Sequence, residues 1–184
     1  HYVNPDFITN SGDTTIKGYV TDIITDLTID WLKNKRNKEK PFLMMYLHKA
    51  PHRPWWPSPE KFKEYSKKTF PLPETLFDDY SNRSSAAKSA EMNLLQDLRY
   101  GHDSKIRPQT LESMLEVEPF VKPYDWGGSD GFTTSYVRFD EKQKELYDPV
   151  IDSINIWFKN NWGNLSIEEK MEWKYQRYMQ DYLG

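Results

Sequence analysis

The chain has 184 residues, a formal net charge of −3 and 15% aromatic residues, including 7 Trp and 12 Tyr. That length suits one domain, and so aromatic a chain is not disordered. No dense Lys/Arg stripe marks a nucleic-acid partner, no apolar run is long enough for a membrane span, and the lack of cysteine excludes disulfides and thiolate chemistry.

Residues 1 to 18 read as a β-hairpin or two short strands: Tyr2, Val3, Phe7 and Ile8 precede the turn-rich Asn10-Ser11-Gly12-Asp13, and Thr14 to Ile16 follow. Residues 19 to 36 predict a helix, because Val20, Ile23, Ile24, Leu27, Trp31 and Leu32 recur at helical spacing. The basic run from Lys33 to Lys40 reads as the solvated C-terminal end of that helix. Residues 42 to 47, FLMMYL, are apolar without alternation and predict a strand buried on both faces.

Ser58-Pro59-Glu60 starts a short helix to about Tyr65, with Ser as cap and Pro at the first helical position. Residues 70 to 80 are irregular and residues 84 to 100 helical. A short helix is expected over 109 to 117, and a loop through Pro119, Pro123 and Gly127 to Gly131. Residues 140 to 160 predict a helix with Leu146, Val150, Ile154, Trp157 and Phe158 inward, kinked or broken at Pro149. Ser166 and Glu169 form a capping box that opens the last helix.

The expected class is therefore α/β, mostly helical with few strands. A lone buried strand cannot satisfy its own backbone groups. Residues 1–184 are thus expected to be a single partial domain, with strand 42–47 pairing with missing parts of the domain or with another chain.

The stretch that follows this strand, HKAPHRPWWP, carries the candidate chemistry. In open α/β sheets ligands bind beyond the carboxyl ends of strands, and there the sequence places His48, Lys49, His52, Arg53, Trp55 and Trp56. His48 and His52 have i, i+4 spacing, but Pro51 opposes a helix and no Glu adjoins either imidazole, so a metal site is not expected. Lys49, His52 and Arg53 suit an oxyanion such as a sulfate or phosphate ester, on a loop stiffened by Pro51 and Pro54. A histidine bonded only to backbone, beside a solvated Lys and Arg, is the alternative for the same residues.

Gly18-Tyr19-Val20-Thr21-Asp22, Lys40-Pro41-Phe42, the apolar strand and His48-Lys49-Ala50-Pro51-His52-Arg53-Pro54 together resemble the middle of the type I, formylglycine-dependent sulfatases. TLFDDYSNRSSAA (75 to 87) and WKYQRYMQDYL (173 to 183) are similar to bacterial glycan sulfatases of that family. The resemblance implies an alkaline-phosphatase-like domain that hydrolyses sulfate esters of sugars or glycosaminoglycans with bound Ca²⁺. It implies His52 as the histidine that contacts the sulfate and the leaving oxygen. Lys49, His48, Arg53 and Trp55 are expected near the substrate, with at least one Trp packing under the loop.

The family's C/S-x-P-x-R motif, the source of formylglycine, is absent from these residues. Asp78-Asp79 matches neither carboxylate pair that holds calcium, so the metal ligands and the nucleophile are expected outside this segment. The segment alone is expected to be inactive. Bacterial members of the family are mostly exported, which implies a periplasmic or secreted location. A phosphoesterase of the same superfamily, or a non-catalytic glycan- or anion-binding module, remains the alternative.

Overall fold

The N-terminal residues form the expected hairpin. In the computed structural model, which describes residues 1–90, 93–114 and 131–184, β1 (Asp6–Thr9) pairs antiparallel with β2 (Gly12–Thr15), in register from Asp6 opposite Thr15 to Thr9 opposite Gly12. Gly12 has φ +117°, a conformation that side-chain-bearing residues avoid. The chain then returns past its own start. Val3 bridges Tyr19, and the Val20 amide donates to the Tyr2 carbonyl at 2.8 Å. Asn4 locks this return: its carboxamide oxygen accepts from the Gly18 amide, and its amide exchanges two hydrogen bonds with that of Gln143.

Helix α1 (Val20–Asp30) runs on through a π-helical turn at Trp31–Lys35, so the predicted span of 19 to 36 holds. The predicted buried strand does not. Residues 42 to 47 are unpaired, with Phe42, Leu43, Met45, Tyr46 and Leu47 all exposed and Leu43 at 91%. The physical reason is the one the sequence raised. Among the described residues the only ladder is β1–β2, so this apolar stretch has no neighbouring strand to take its backbone groups or cover its faces. It touches the helical segment before it instead: Phe42 packs edge-on against Trp31 at 5.3 Å, and the Tyr46 hydroxyl lies 2.6 Å from that of Thr25.

Helix α2 (Pro59–Tyr65) starts where Ser58-Pro59 placed it. The long helix expected over 84 to 100 is instead three short turns: α3 (Ser85–Lys88), α4 (Leu94–Asp97) and α5 (Tyr100–Ser104). The Ser84 side chain accepts from the Ala87 amide and caps the first; the Asn93 side chain accepts from the Gln96 amide and so starts a new helix rather than continuing one. Lys105, at φ +62°, ends α5. Helix α6 (Pro108–Glu112) opens the element expected at 109 to 117, whose last residues lie outside the described ones. The expected loop lies there too, except for Gly131, which begins helix α7 (Gly131–Tyr136).

Helix α8 (Glu141–Asn161) is capped by Asp140, whose side chain and Gln143 form a capping box. Pro149 does not break it. It sits on the exposed face, where water can replace the lost backbone donor. The buried face is Tyr147, Ile151, Asn155 and Phe158, so Leu146 and Trp157, expected inward, are exposed. The inward stripe is displaced by about one residue, roughly 100° of rotation. Helix α9 (Ile167–Leu183) begins at the Ser166–Glu169 capping box, as expected.

Two apolar cores result among the described residues. Tyr2, Val20, Trp56, Phe62, Phe132, Phe139, Tyr147 and Ile151 share one; Tyr100, Ile106, Leu111, Phe158 and Trp162 share the other. Helix α8 contributes to both. The buried side of α9 is Lys174, Arg177 and Asp181, three residues that a hydrophobic pattern cannot reveal. Each is paired: Lys174 donates to the Leu95 and Leu98 carbonyls, while Asp181 takes Arg177 at 2.5 Å and Lys105 at 3.1 Å. Among the described residues no helix is long and apolar enough to cross a membrane.

Candidate active site

The 48–57 loop is held by its backbone, which leaves several of its side chains free for other work. The Tyr2 hydroxyl donates to the His52 carbonyl at 2.8 Å, Tyr19 to that of Trp56 at 3.0 Å and Tyr147 to that of Pro57 at 2.7 Å. The Trp55 indole donates to the Pro51 carbonyl at 2.7 Å. Burial pushes all three phenols upward, Tyr19 to about 12, so they stay protonated as donors. Two of the prolyl bonds, Ala50-Pro51 and Arg53-Pro54, are cis.

Each residue singled out in the sequence now has a place. His52 is exposed. Its Nδ1 lies 2.8 Å from Lys49 Nζ and also contacts the Arg53 carbonyl. That nitrogen either accepts from Lys49 or donates to the carbonyl, and in both states it is occupied. Nε2 is the nitrogen left over, with no hydrogen-bond partner among the described residues. Burial lowers the Lys49 ammonium from its ordinary value.

Arg53 forms a two-point pair with Asp103: Nε donates to Oδ1 at 2.8 Å and Nη2 contacts Oδ2. The same Nη2 donates to the Asp97 carbonyl at 2.8 Å. Trp55 is a packing residue: it is buried against Tyr178 at 5.1 Å and Tyr182 at 5.9 Å, so a sugar-contacting role for its ring is not supported by this packing. His48 packs edge-on against Tyr46 at 4.3 Å, with its Nδ1 buried and unpartnered among the described residues.

A cavity of about 540 Å³ opens beside the loop, and Lys49, His52, Arg53, Arg99 and His102 line it. The sequence reading missed the last two, and with them Asp103. They lie nearly fifty residues downstream, in a stretch read only as a helix end. The local signal was the polar cluster Arg99, His102 and Asp103, which sits where a helix needs no such chemistry. His48 and Trp55 are not among the lining residues. A larger groove of about 740 Å³, between α2, α8 and α9, has no imidazole among the described residues that line it.

Asp103 ties together two of the lining residues, Arg53 and His102. It is 2% exposed and accepts from the Arg99 amide at 2.7 Å, from Arg53, and from His102 Nδ1 at 3.3 Å. Burial by itself would raise its carboxyl, but the hydrogen bonds from His102 and Arg53 outweigh it and bring the group down to about 2. The ordinary carboxyl value is near ~3.9. The folded state thus gains from this ionised group above the ordinary value and loses that gain as pH falls through about 2. Thermal melts between pH 5 and pH 2 are expected to show an acid loss of stability that is smaller in Asp103→Asn, whose stability at neutral pH is already reduced.

Among the described residues no group of three or more His, Cys, Asp or Glu is placed to hold a metal ion. Asp78 is engaged by Arg83 at 2.9 Å and Asp79 by the Ser81 amide. These residues fit neither a calcium site nor, without a C/S-x-P-x-R motif, a formylglycine precursor.

No family model matches the chain. The chain is 36% identical over 183 residues to the N-acetylglucosamine-6-O-sulfatase of Bacteroides thetaiotaomicron, across all of this chain and 30% of that protein. It is 25% identical over 151 residues to the human N-acetylglucosamine-6-sulfatase, across 74% of this chain and 27% of that protein. A solved structure in complex with its substrate, D-glucosamine-2-N,6-O-disulfate, matches with a TM-score of 0.81 and 35% identity, over 99% of this chain and 34% of that one.

The architecture is that of a segment of an alkaline-phosphatase-like α/β domain. More particularly, the chain belongs to the sulfatase family, and it spans about a third of the length of the relatives it matches.

Proposed function

We propose that residues 1–184 are part of one catalytic domain of a sulfatase that hydrolyses a sulfate ester on a glucosamine-type sugar. The observation that carries this reading is the cavity in which His52, with Nδ1 occupied and Nε2 open, stands beside Lys49. A sulfate ester presents three terminal oxygens and a bridging oxygen that becomes an alkoxide as the S–O bond breaks. Lys49 and protonated His52 supply cationic donors to the sulfate. His52 Nε2 then gives its proton to the departing sugar oxygen, which removes the cost of expelling a free alkoxide.

Two further groups complete the family's chemistry, formylglycine as the nucleophile's source and Ca²⁺ as the charge-neutralising metal; on this reading both are held by other parts of the domain. The same holds for the sheet. Exposed residues 42 to 47 pair with strands contributed from elsewhere, which sets the His48–Trp56 loop at the carboxyl end of a central strand. We place the enzyme in the periplasm or outside the cell, where sulfated glycans are met.

The test is a side-by-side assay of the whole enzyme that carries this chain, with glucosamine 6-sulfate and glucosamine 6-phosphate. Sulfate release is expected to outpace phosphate release, and the 184-residue chain alone is expected to release neither. Faster phosphate release would make the protein a phosphoesterase of the same superfamily. Turnover by the isolated chain would show that the missing groups are not needed.

A further inference from the structure

His52 Nδ1 has two partners of opposite character. One is the Lys49 ammonium, 2.8 Å away; the other is the Arg53 carbonyl. An ammonium can only donate and a carbonyl can only accept. The ring therefore meets Lys49 with a bare Nδ1 and its proton on Nε2. It meets the Arg53 carbonyl with a proton on Nδ1. Both contacts are made from one ring position, so the ring need not turn to exchange one for the other.

Lys49 is placed to donate. The His52 amide bonds the Lys49 carbonyl at 2.9 Å, a turn that brings the two side chains together. Among the described residues the imidazole is the hydrogen-bond partner of the ammonium, and no carboxylate pairs with it to hold its charge. Partial burial lowers the Lys49 ammonium from its ordinary value, which makes it a readier acid.

Resting on the reading of this cavity as a sulfate-ester site, we propose that Lys49 is the source of the proton that His52 delivers. The Nζ–H bond breaks as the Nδ1–H bond forms, and the ring gives up its Nε2 proton. That proton joins the bridging oxygen, which takes the electron pair of the breaking S–O bond. Lys49 is left as a neutral amine, and the ring is left neutral with its Nδ1 proton donated to the Arg53 carbonyl. Imidazole is ordinarily the weaker base of the two, so the first transfer is uphill at rest. The departing alkoxide is a stronger base than either and draws the proton through. His52 is exposed, so exchange with water returns a proton to Nζ and the ring's own proton to Nε2.

Lys49→Arg in the whole enzyme is the informative variant. A guanidinium keeps the positive charge and the donors for a sulfate but cannot give up a proton. Turnover of glucosamine 6-sulfate is expected to fall by about 10²-fold or more, the range for loss of a proton donor. Turnover of 4-nitrophenyl sulfate, whose leaving group departs without a proton, is expected to fall far less. A second measurement needs no artificial ester: small alkylammonium ions added to Lys49→Ala are expected to restore turnover of the sugar sulfate, the more acidic ones better. Thermal melts of both variants separate these effects from unfolding. An equal loss on the two esters, or a rescue that is absent or indifferent to the acidity of the amine, overturns the relay and leaves the sulfatase reading standing. Should wild type not accept the aryl ester, the amine series decides alone. A wild-type enzyme that hydrolyses no sugar sulfate overturns both.

Discussion

Replacing His52 with alanine is expected to cut turnover of a sugar sulfate by roughly 10²–10⁴-fold in the whole enzyme, the range for loss of a positioned proton donor. The structure makes this a clean experiment. What anchors the loop at this position is the His52 carbonyl, which takes the Tyr2 hydroxyl, and the His52 amide, which donates to the Lys49 carbonyl at 2.9 Å. Neither belongs to the imidazole. The ring is exposed, so its removal leaves no cavity in a core. Stability is therefore expected to change little while activity collapses. His52→Gln separates the two roles proposed for the ring. It retains a hydrogen-bond donor but cannot transfer a proton at neutral pH, so it is expected to keep more substrate affinity than alanine without restoring turnover. Unchanged kcat/KM in His52→Ala would remove the imidazole from the mechanism.

Trp56→Ala is expected to destabilise the fold by about 3–5 kcal/mol, the range for truncating a buried aromatic to alanine. Trp56 is 2% exposed and packs against Phe139 at 5.0 Å, Tyr147 at 5.8 Å, Phe132 at 6.1 Å and Phe62 at 6.5 Å. These partners come from α2, α7, α8 and the segment between α7 and α8, so the ring joins elements distant in sequence. Its face also carries the buried ammonium of Lys105, 4.8 Å from the centroid, which alanine would leave with Asp181 as its ion-pair partner. Urea denaturation monitored by circular dichroism measures the loss. Trp56→Phe keeps an aromatic face, and the Trp56 indole nitrogen has no hydrogen-bond partner among the described residues. That variant is expected to lose distinctly less. Equal losses in the two would mean that neither ring area nor the cation contact matters at this position.

The Trp56 result bears on the site as well. The indole lies four residues from His52, on the same loop, and its own carbonyl accepts from Tyr19. One side chain therefore couples the position of the imidazole to the larger apolar core. The sequence pair Trp55-Trp56 invited a sugar-binding reading, yet both rings are buried. Both rings pack beneath the loop that carries Lys49 and His52.

What could be read from the chain alone was whatever local physics sets. The hairpin at 6 to 15, the helix from Val20, the start of α2 at Ser58-Pro59 and the Ser166–Glu169 capping box all depend on neighbours within a few residues, and all appear where expected. The placement of Lys49 and His52 together on one loop is local for the same reason. The resemblance to the sulfatases supplied the role of His52, which spacing alone left open.

Other features depended on distance. Residues 42 to 47 have the composition of a central strand but, among the described residues, no strand beside them, since a ladder needs a partner that no local pattern provides. The inward face of α8 was misjudged by one residue because two separate cores draw on it, and the buried Lys174, Arg177 and Asp181 of α9 have no hydrophobic signature at all. The local cluster Arg99, His102 and Asp103 likewise did not reveal that His102 lines the cavity with Asp103 behind it. A hydrogen bond spanning fifty residues, from Arg53 to Asp103, follows from how α5 is carried to the loop, and only the packed chain fixes that approach. Sequence determined which groups could meet an anion; tertiary structure decided which of them share a cavity, because burial and pairing energies depend on partners that covalent neighbours do not specify.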